Sequence, residues 1–231
     1  MIISVFGPEG IVTSTLSRDI FYDKVEIDGN ETLVPIESQG LKHSYVFCGR
    51  FALTYKRLNQ YTYDNIIIDS FRQLEKTWDE VPHITEFMPY FKKMVVDNHL
   101  EIIGVMSAYD TMEDGRKLPF VYQILGEDIR RVNADKNGNT FCHFLHLESE
   151  TIAGKLIRQT KVRNGDEWED TIEPRLRCDL YSNEKSIDLC RFLLRTEWYM
   201  TNINSACLNA SVKADVTIVD ESGINQLLVD L

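Results

Sequence analysis

Apolar residues in the first 48 positions follow the pattern of short strands separated by turns. Ile2–Phe6 and Ile11–Leu16 flank the turn-forming run Gly7-Pro8-Glu9-Gly10, and this arrangement predicts a β-hairpin. Thr32–Ile36 and Ser44–Cys48 are rich in β-branched and aromatic residues, which are typical of strands. The start of the chain is therefore predicted to form four strands.

A helical period follows. Apolar residues recur at i, i+4, i+7 and i+11 before Pro82 ends the pattern: Ile67, Phe71, Leu74 and Trp78. The apolar positions of 51–58 are assigned to this helix or to one before it. A second stripe over 84–98, with Pro89 in its first turns, predicts another helix.

Strands and helices alternate again in the rest of the chain. Strands are predicted at 102–106, 120–125 and 141–147, helices at 148–157 and 187–198, and a closing hairpin around 221–223. Residues 163–183 are polar and are predicted to form an irregular excursion. Blocks of strands alternating with helix pairs indicate an α+β protein whose sheets are covered by helices, and no linker divides residues 1–231 into separate domains.

Composition narrows the classes of function. The net charge is −11, and such a charge disfavours non-specific binding to nucleic acid and to anionic membranes. No apolar run approaches the roughly 20 residues that span a bilayer, and Met1–Phe6 lacks the features of a signal peptide. The five cysteines include no CxxC pair, which indicates thiols in a reducing compartment. We therefore expect a cytoplasmic protein.

Four stretches resemble one family of known fold. They are Ile2–Val12 running on to Ser17-Arg18, Tyr45–Ala52, Leu74–Trp78 with the following helix and Ile102-Ile103-Gly104, and Ala214–Asp220. Their order is similar to that of the N-terminal nucleophile hydrolases, specifically proteasome β-subunits and the HslV-type peptidase. The resemblance implies an α+β fold of the four-layer αββα type over the whole chain.

The resemblance also implies a chemistry that this sequence lacks. In the family the first residue of the mature chain is a Thr, Ser or Cys whose own amine acts as the base. This chain has Met1 there, and the bulky Ile2 is expected to keep Met1 in place. Family members also carry an acid at the end of the second strand, and the matching stretch here is Thr15-Leu16-Ser17, although Asp19 is near. They carry a lysine on the third strand as well. The segment Glu31–Ile36, predicted to be that strand, has no lysine.

A further departure lies near residue 146. The glycine-rich oxyanion segment of the family corresponds here to His146-Leu147-Glu148-Ser149, where a carboxylate would repel a developing oxyanion. Together these departures predict a non-catalytic protein, a pseudoenzyme that acts in assembly or protein binding. Relatives form stacked rings, so the resemblance implies a homo-oligomer without a cofactor.

Other residues offer weaker alternatives. Cys48, before Gly49 and with His43 nearby in sequence, is a candidate nucleophile for a peptidase or amidase. Cys142 and His146 would share one face of a strand and are candidate metal ligands, whereas His143 would point to the other face. The turn that carries Asp110, Glu113 and Asp114 is a candidate cation site. The acidic charge also leaves open a regulator that binds a basic protein partner.

Overall fold

The structure is a computed structural model that describes residues 1–17, 19–27, 30–38, 43–58, 63–77, 83–147, 161–164, 167–170, 177–202 and 212–231. The described strands are β1 Ile2–Phe6, β2 Ile11–Leu16, β3 Asp19–Ile27, β4 Asn30–Ser38, β5 Ser44–Phe47, β6 Phe51–Arg57, β7 Ile102–Thr111, β8 Lys117–Leu125, β9 Asp128–Arg131, β10 His143–Leu147, β11 Lys161–Asn164, β12 Glu167–Asp170, β13 Lys213–Asp220 and β14 Gly223–Asp230. The described helices are α1 Asp64–Thr77, α2 Ile84–Asp97 and α3 Asn183–Asn202, with a 3-10 turn at Cys178–Leu180.

Two antiparallel five-stranded sheets organise the fold. The first has the strand order β10-β1-β2-β13-β14, and the second has the order β5-β6-β7-β8-β9. Two separate hairpins, β3–β4 and β11–β12, are each paired only within themselves among the described residues. The predicted α+β class is confirmed.

The two sheets pack on each other through one shared buried cluster. It contains residues from β1, β2, β10 and β13 of the first sheet and from β6, β7 and β8 of the second: Ile2, Phe6, Ile11, Leu147, Val219, Ala52, Ile103, Val105 and Val121. We call this set the inter-sheet cluster. Because side chains alternate across a strand, the neighbouring residues of each strand point to the outer face of its sheet.

Each outer face is covered by helices. On the second sheet, α1 and α2 bury a cluster that is rich in aromatic rings, with Phe47, Phe71, Phe87 and Phe91 all fully buried. On the first sheet, α3 packs over Ile3, Val5, Val12 and Val216, among others. The amphipathic periods of the three helices are explained by this one-sided burial.

The first hairpin also fixes the start of α3. Glu9, in the β1–β2 turn, accepts a hydrogen bond from the backbone N–H of Asn183 through Oε2 at 3.0 Å. Asn183 is the first residue of α3, where backbone N–H groups lack helical partners and a negative charge is favourable.

We expect Glu9→Ala to lower the free energy of unfolding by about 1 kcal/mol, because one backbone N–H of the α3 start loses its acceptor. Urea unfolding followed by circular dichroism measures the change. Glu9→Gln is the matched control, since its amide oxygen can still accept the bond, and it should lose less. Equal stability of Glu9→Ala and the unchanged protein would contradict this role.

Several predicted elements differ from the structure. The segment 51–58 was assigned to a helix, but Phe51–Arg57 is strand β6, paired with β5 and β7. The start of the chain has an additional strand, β3, and the stretch 163–183 contains β12 and the 3-10 turn rather than only irregular structure. The predicted helix at 148–157 lies outside the described residues.

Candidate functional site

Polar side chains lie in two adjacent rows between the sheets, next to the inter-sheet cluster. The cross-strand register places Ser4, Thr13 and Thr217 in one row and Ile2, Thr15 and Asp215 in the next. Two residues of the second sheet contact these rows. Thr54 contacts Thr217, and His43, the residue before β5, contacts Asp215. We call Ser4, Thr13, Thr15, Thr54, Thr217, Asp215 and His43 the inter-sheet polar cluster, and all seven are buried.

The hydroxyl groups of this cluster are engaged with the protein itself. Ser4 Oγ and Thr13 Oγ1 share a hydrogen bond of 2.7 Å, and Thr54 Oγ1 donates a long one of 3.4 Å to Thr217 Oγ1. Thr15 Oγ1 donates to the backbone carbonyl of Met1 at 2.9 Å. Buried hydroxyls require such partners, since a buried unpaired polar group costs about 1–3 kcal/mol.

One carboxylate links the two sheets in this region. Asp215 Oδ2, on β13, accepts a hydrogen bond from the backbone N–H of His43 at 3.2 Å. The carbonyl of His43 in turn accepts from the backbone N–H of Tyr55 at 2.8 Å. The bond from His43 to Asp215 therefore joins the edge strand of one sheet to an inner strand of the other.

Met1 stands at the start of β1 and is buried, with 3% of its surface exposed. It packs in the cluster beneath α3, together with Ile3 and Val5, rather than in the inter-sheet cluster. Its carbonyl is the group that Thr15 contacts. The Met1 side chain therefore belongs to the packing beneath α3.

The sequence analysis named His43 only as a neighbour of Cys48, and it gave Asp215 no role. The segment Glu31–Ile36, which was predicted to be the third strand, belongs to β4, and β4 pairs with β3 outside the two large sheets. The strand that follows β2 within the two five-stranded sheets is β5, and His43 directly precedes it. An acid inside the apolar strand Ala214–Val219 was the available signal for Asp215.

Cys48 lies in the tight turn between β5 and β6. The backbone φ angles of Cys48 and Gly49 are 50° and 65°, and Arg50 N–H donates to Phe47 O at 2.9 Å. His43 stands five residues earlier, about 16 Å away along the extended chain. The structure therefore does not bring Cys48 and His43 together as nucleophile and base.

A carboxylate of α1 holds this turn. Glu75 accepts from the backbone N–H of Cys48 at 2.7 Å and from the hydroxyl of Tyr45 at 2.6 Å. Burial, followed by the hydrogen bond to Glu75, raises the pKa of Tyr45 well above its ordinary value, so the phenol stays a donor. A neighbouring carboxylate is the opposite of the electropositive surroundings that activate a thiol.

One candidate metal ligand, Cys142, lies just before β10, and the other, His146, lies within it. Cys142 is exposed and directly precedes β10, and His146 pairs in register with Ile3 of β1. Within the part of the chain that the structure describes, no three His, Cys, Asp or Glu side chains are grouped so that they could hold a metal ion.

None of the described helices is long and apolar enough to cross a membrane.

The acidic turn after β7 does not gather its carboxylates. Asp114 forms an ion pair with Arg116 at 2.7 Å. Asp110 is buried and accepts a hydrogen bond from the backbone N–H of Ile84 at 2.8 Å. This bond fixes the start of α2. His83 Nδ1 lies 3.7 Å from the same carboxylate oxygen of Asp110. Asp110 therefore has a structural partner of its own.

Burial raises the pKa of Asp110, although the hydrogen bond from Ile84 opposes the shift. The folded state thus holds this proton more tightly than the unfolded state. The stability contributed by Asp110 is then fully present below the unfolded pKa and is lost as the pH rises through the folded value. We expect the unfolding free energy of the protein to fall relative to Asp110→Asn as the pH rises from about 4. Urea unfolding of both proteins across this range measures the difference, and a difference that does not vary with pH would contradict it.

Comparison with protein-family models and with curated proteins finds no match to this chain.

Proposed function

We propose that this chain is a non-catalytic, proteasome-like protein with the four-layer αββα fold of the N-terminal nucleophile hydrolases. The support is the layered packing: two five-stranded antiparallel sheets share the inter-sheet cluster, α1 and α2 cover one, and α3 covers the other. The helix pair also comes between β6 and β7 in the chain, which fits the order of elements in the resemblance.

The observation that carries the non-catalytic part is the burial of Met1 at the start of β1. A methionine offers no nucleophilic hydroxyl or thiol. The neighbouring Thr15 hydroxyl donates to the Met1 carbonyl, and Ser4 and Thr13 bond to each other. These hydroxyls join β1 to β2 within the first sheet, and in this proposal their role is structural rather than catalytic.

The remaining activity in this proposal is assembly through the helix faces. On the outer face of α3, Phe192 is 62% exposed and Tyr199 is 45% exposed, and Arg195 lies over the Tyr199 ring at 5.5 Å. These two aromatic residues are seven positions apart and share one side of the helix. Aromatic and Arg side chains are enriched at protein interfaces, and we take this stripe to contact a second copy of the chain.

The location proposed for this assembly is the cytoplasm. Cys142, Cys178 and Cys190 are present as thiols rather than as disulfides. Thiols persist in a reducing compartment.

The native mass of the protein at micromolar concentration tests the assembly. Light scattering after size exclusion should give a multiple of the chain mass of 26.8 kDa. The double variant Phe192→Glu and Tyr199→Glu should reduce the mass toward that of one chain, because it places charges in the contact. Leu228→Glu is the matched control, since Leu228 is an exposed apolar residue on β14, and it should keep the oligomer. A monomeric unchanged protein would overturn the assembly proposal.

A further inference from the structure

Two thiols lie close to Gly7 at one edge of the first sheet. Cys178 begins the 3-10 turn that leads into α3, and it is buried in the cluster beneath that helix. Cys142 directly precedes β10 and is exposed. Neither has a role in the assembly proposed above.

The strand register places Cys142 on the outer face of the sheet. Phe6 pairs with His143, so the next residues along the two strands, Gly7 and Cys142, lie opposite each other. Leu145 and Leu147 contact the inter-sheet cluster, and Cys142 lies an odd number of positions from both, which places it on the opposite face. Cys142 therefore lies on the side of the sheet that carries α3 and Cys178.

Gly7 brings the turn of Cys178 onto this same spot. A Cβ atom on residue 7 would lie 3.4 Å from the carbonyl oxygen of Cys178 and 2.7 Å from that of Tyr181. Only a glycine allows the backbone of the turn to rest directly on the strand here. Both cysteines are thus neighbours of Gly7, one across the strand pair and one above it.

The pKa values of both thiols are raised, with burial as the main cause. Burial, and then the charge of the nearby Cys142, raises the pKa of Cys178 to about 11. Burial, then the charge of Asp179, raises the pKa of Cys142. At neutral pH both groups are protonated thiols that react slowly.

We propose that Cys142 and Cys178 form a reversible disulfide when the protein meets a small-molecule disulfide such as oxidised glutathione. The Cys142 thiolate attacks one sulfur of glutathione disulfide, forms a mixed disulfide and releases one glutathione thiolate. The Cys178 thiolate then attacks the Cys142 sulfur and releases the second glutathione. Two protein thiols are oxidised, one glutathione disulfide is reduced, and two protons leave the protein.

This bond would connect the start of β10 to the turn before α3. The β1–β2 turn already holds the first residue of α3 through Glu9. A covalent link beside it would add a second constraint on the base of the helix, and cellular thiols would remove it. The structure therefore assigns this edge of the sheet a redox-sensitive role.

Mass spectrometry of the folded protein after incubation with oxidised glutathione tests the proposal. The expected product has lost two hydrogens, and its non-reduced peptide map joins Cys142 to Cys178. Because both thiols have raised pKa values, the rate should rise about tenfold per pH unit above neutrality. In Cys178→Ala the reaction should stop with glutathione bound to Cys142, and in Cys142→Ser the product should not form.

Cys48→Ser is the matched control, since Cys48 is also exposed but lies in the β5–β6 turn. This variant should form the Cys142–Cys178 bond at the normal rate. Cys142 is exposed, so Cys142→Ser should leave the fold intact, which circular dichroism verifies. A stable mixed disulfide on Cys142 of the unchanged protein would overturn the proposal. So would a bond of Cys178 to Cys190, or a dimer linked through Cys142.

Discussion

Replacement of Phe47 by alanine is expected to lower the free energy of unfolding by about 3–5 kcal/mol. Phe47 is fully buried, and its ring centroid lies 5.1 Å from that of Phe71, 5.2 Å from that of Phe87 and 5.8 Å from that of Phe91. One ring on β5 therefore contacts both helices that cover the second sheet. Its removal leaves a cavity at the point where α1, α2 and the sheet meet.

Urea unfolding followed by circular dichroism and fluorescence measures this loss. Phe141→Ala is the matched control, because Phe141 is 44% exposed in a loop, and it should change the stability by about 0.5 kcal/mol or less. Equal effects of the two substitutions would show that Phe47 does not hold the helix layer to the sheet.

Asp215→Ala should cost about 1–3 kcal/mol, the second largest effect that we expect. The substitution removes the acceptor of the His43 backbone N–H in a region where both residues are buried. A buried donor without an acceptor retains the cost of leaving water. The bond also joins the two sheets, so its loss should loosen β5 at its first residue.

Asp215→Asn separates the hydrogen bond from the charge. Its amide oxygen can still accept from His43, so it should lose less stability than the alanine variant. Amide hydrogen exchange gives the local readout, since the His43 N–H should exchange faster in Asp215→Ala than in Asp215→Asn. Unchanged protection of His43 in the alanine variant would contradict the linking role of Asp215.

Local patterns were sufficient to predict most of the helices and hairpins. The stripe from Ile67 to Leu74 lies in α1, and the stripe over 84–98 matches α2 to within a residue at its end. Pro89 is tolerated inside α2, where it lies in the second turn. Gly7 to Gly10 and Glu221 to Gly223 lie in the predicted turns, because turn chemistry is a property of neighbouring residues.

The errors arose where two periods compete. Phe51, Leu53 and Tyr55 alternate with residues that face the other sheet, and this is the period of a strand. Leu58 extends the series to a spacing of seven, which also fits a helix and led to the wrong assignment. Strand β9 is only four residues long and ends in Arg130-Arg131, so it has no apolar pattern to detect.

The polar cluster could not be predicted, because it depends on contacts between distant parts of the chain. The hydrogen bond from His43 to Asp215 spans 172 residues in sequence. Ser4, Thr13 and Thr217 meet only once β1, β2 and β13 are paired in register. No local spacing indicates such a row.

Reaction with an electrophile that labels catalytic nucleophiles tests the central claim. This claim is that the hydroxyl groups of the inter-sheet polar cluster have a structural role and not a catalytic one. The folded protein is incubated with a peptide vinyl sulfone and a β-lactone, and adducts are located by peptide mapping, while fluorogenic peptides report hydrolysis. We predict no adduct on Ser4, Thr13, Thr15 or Thr217 and no turnover above the rate without protein. A stoichiometric adduct on one of these hydroxyls, together with hydrolysis that is lost when that residue becomes alanine, would contradict the account.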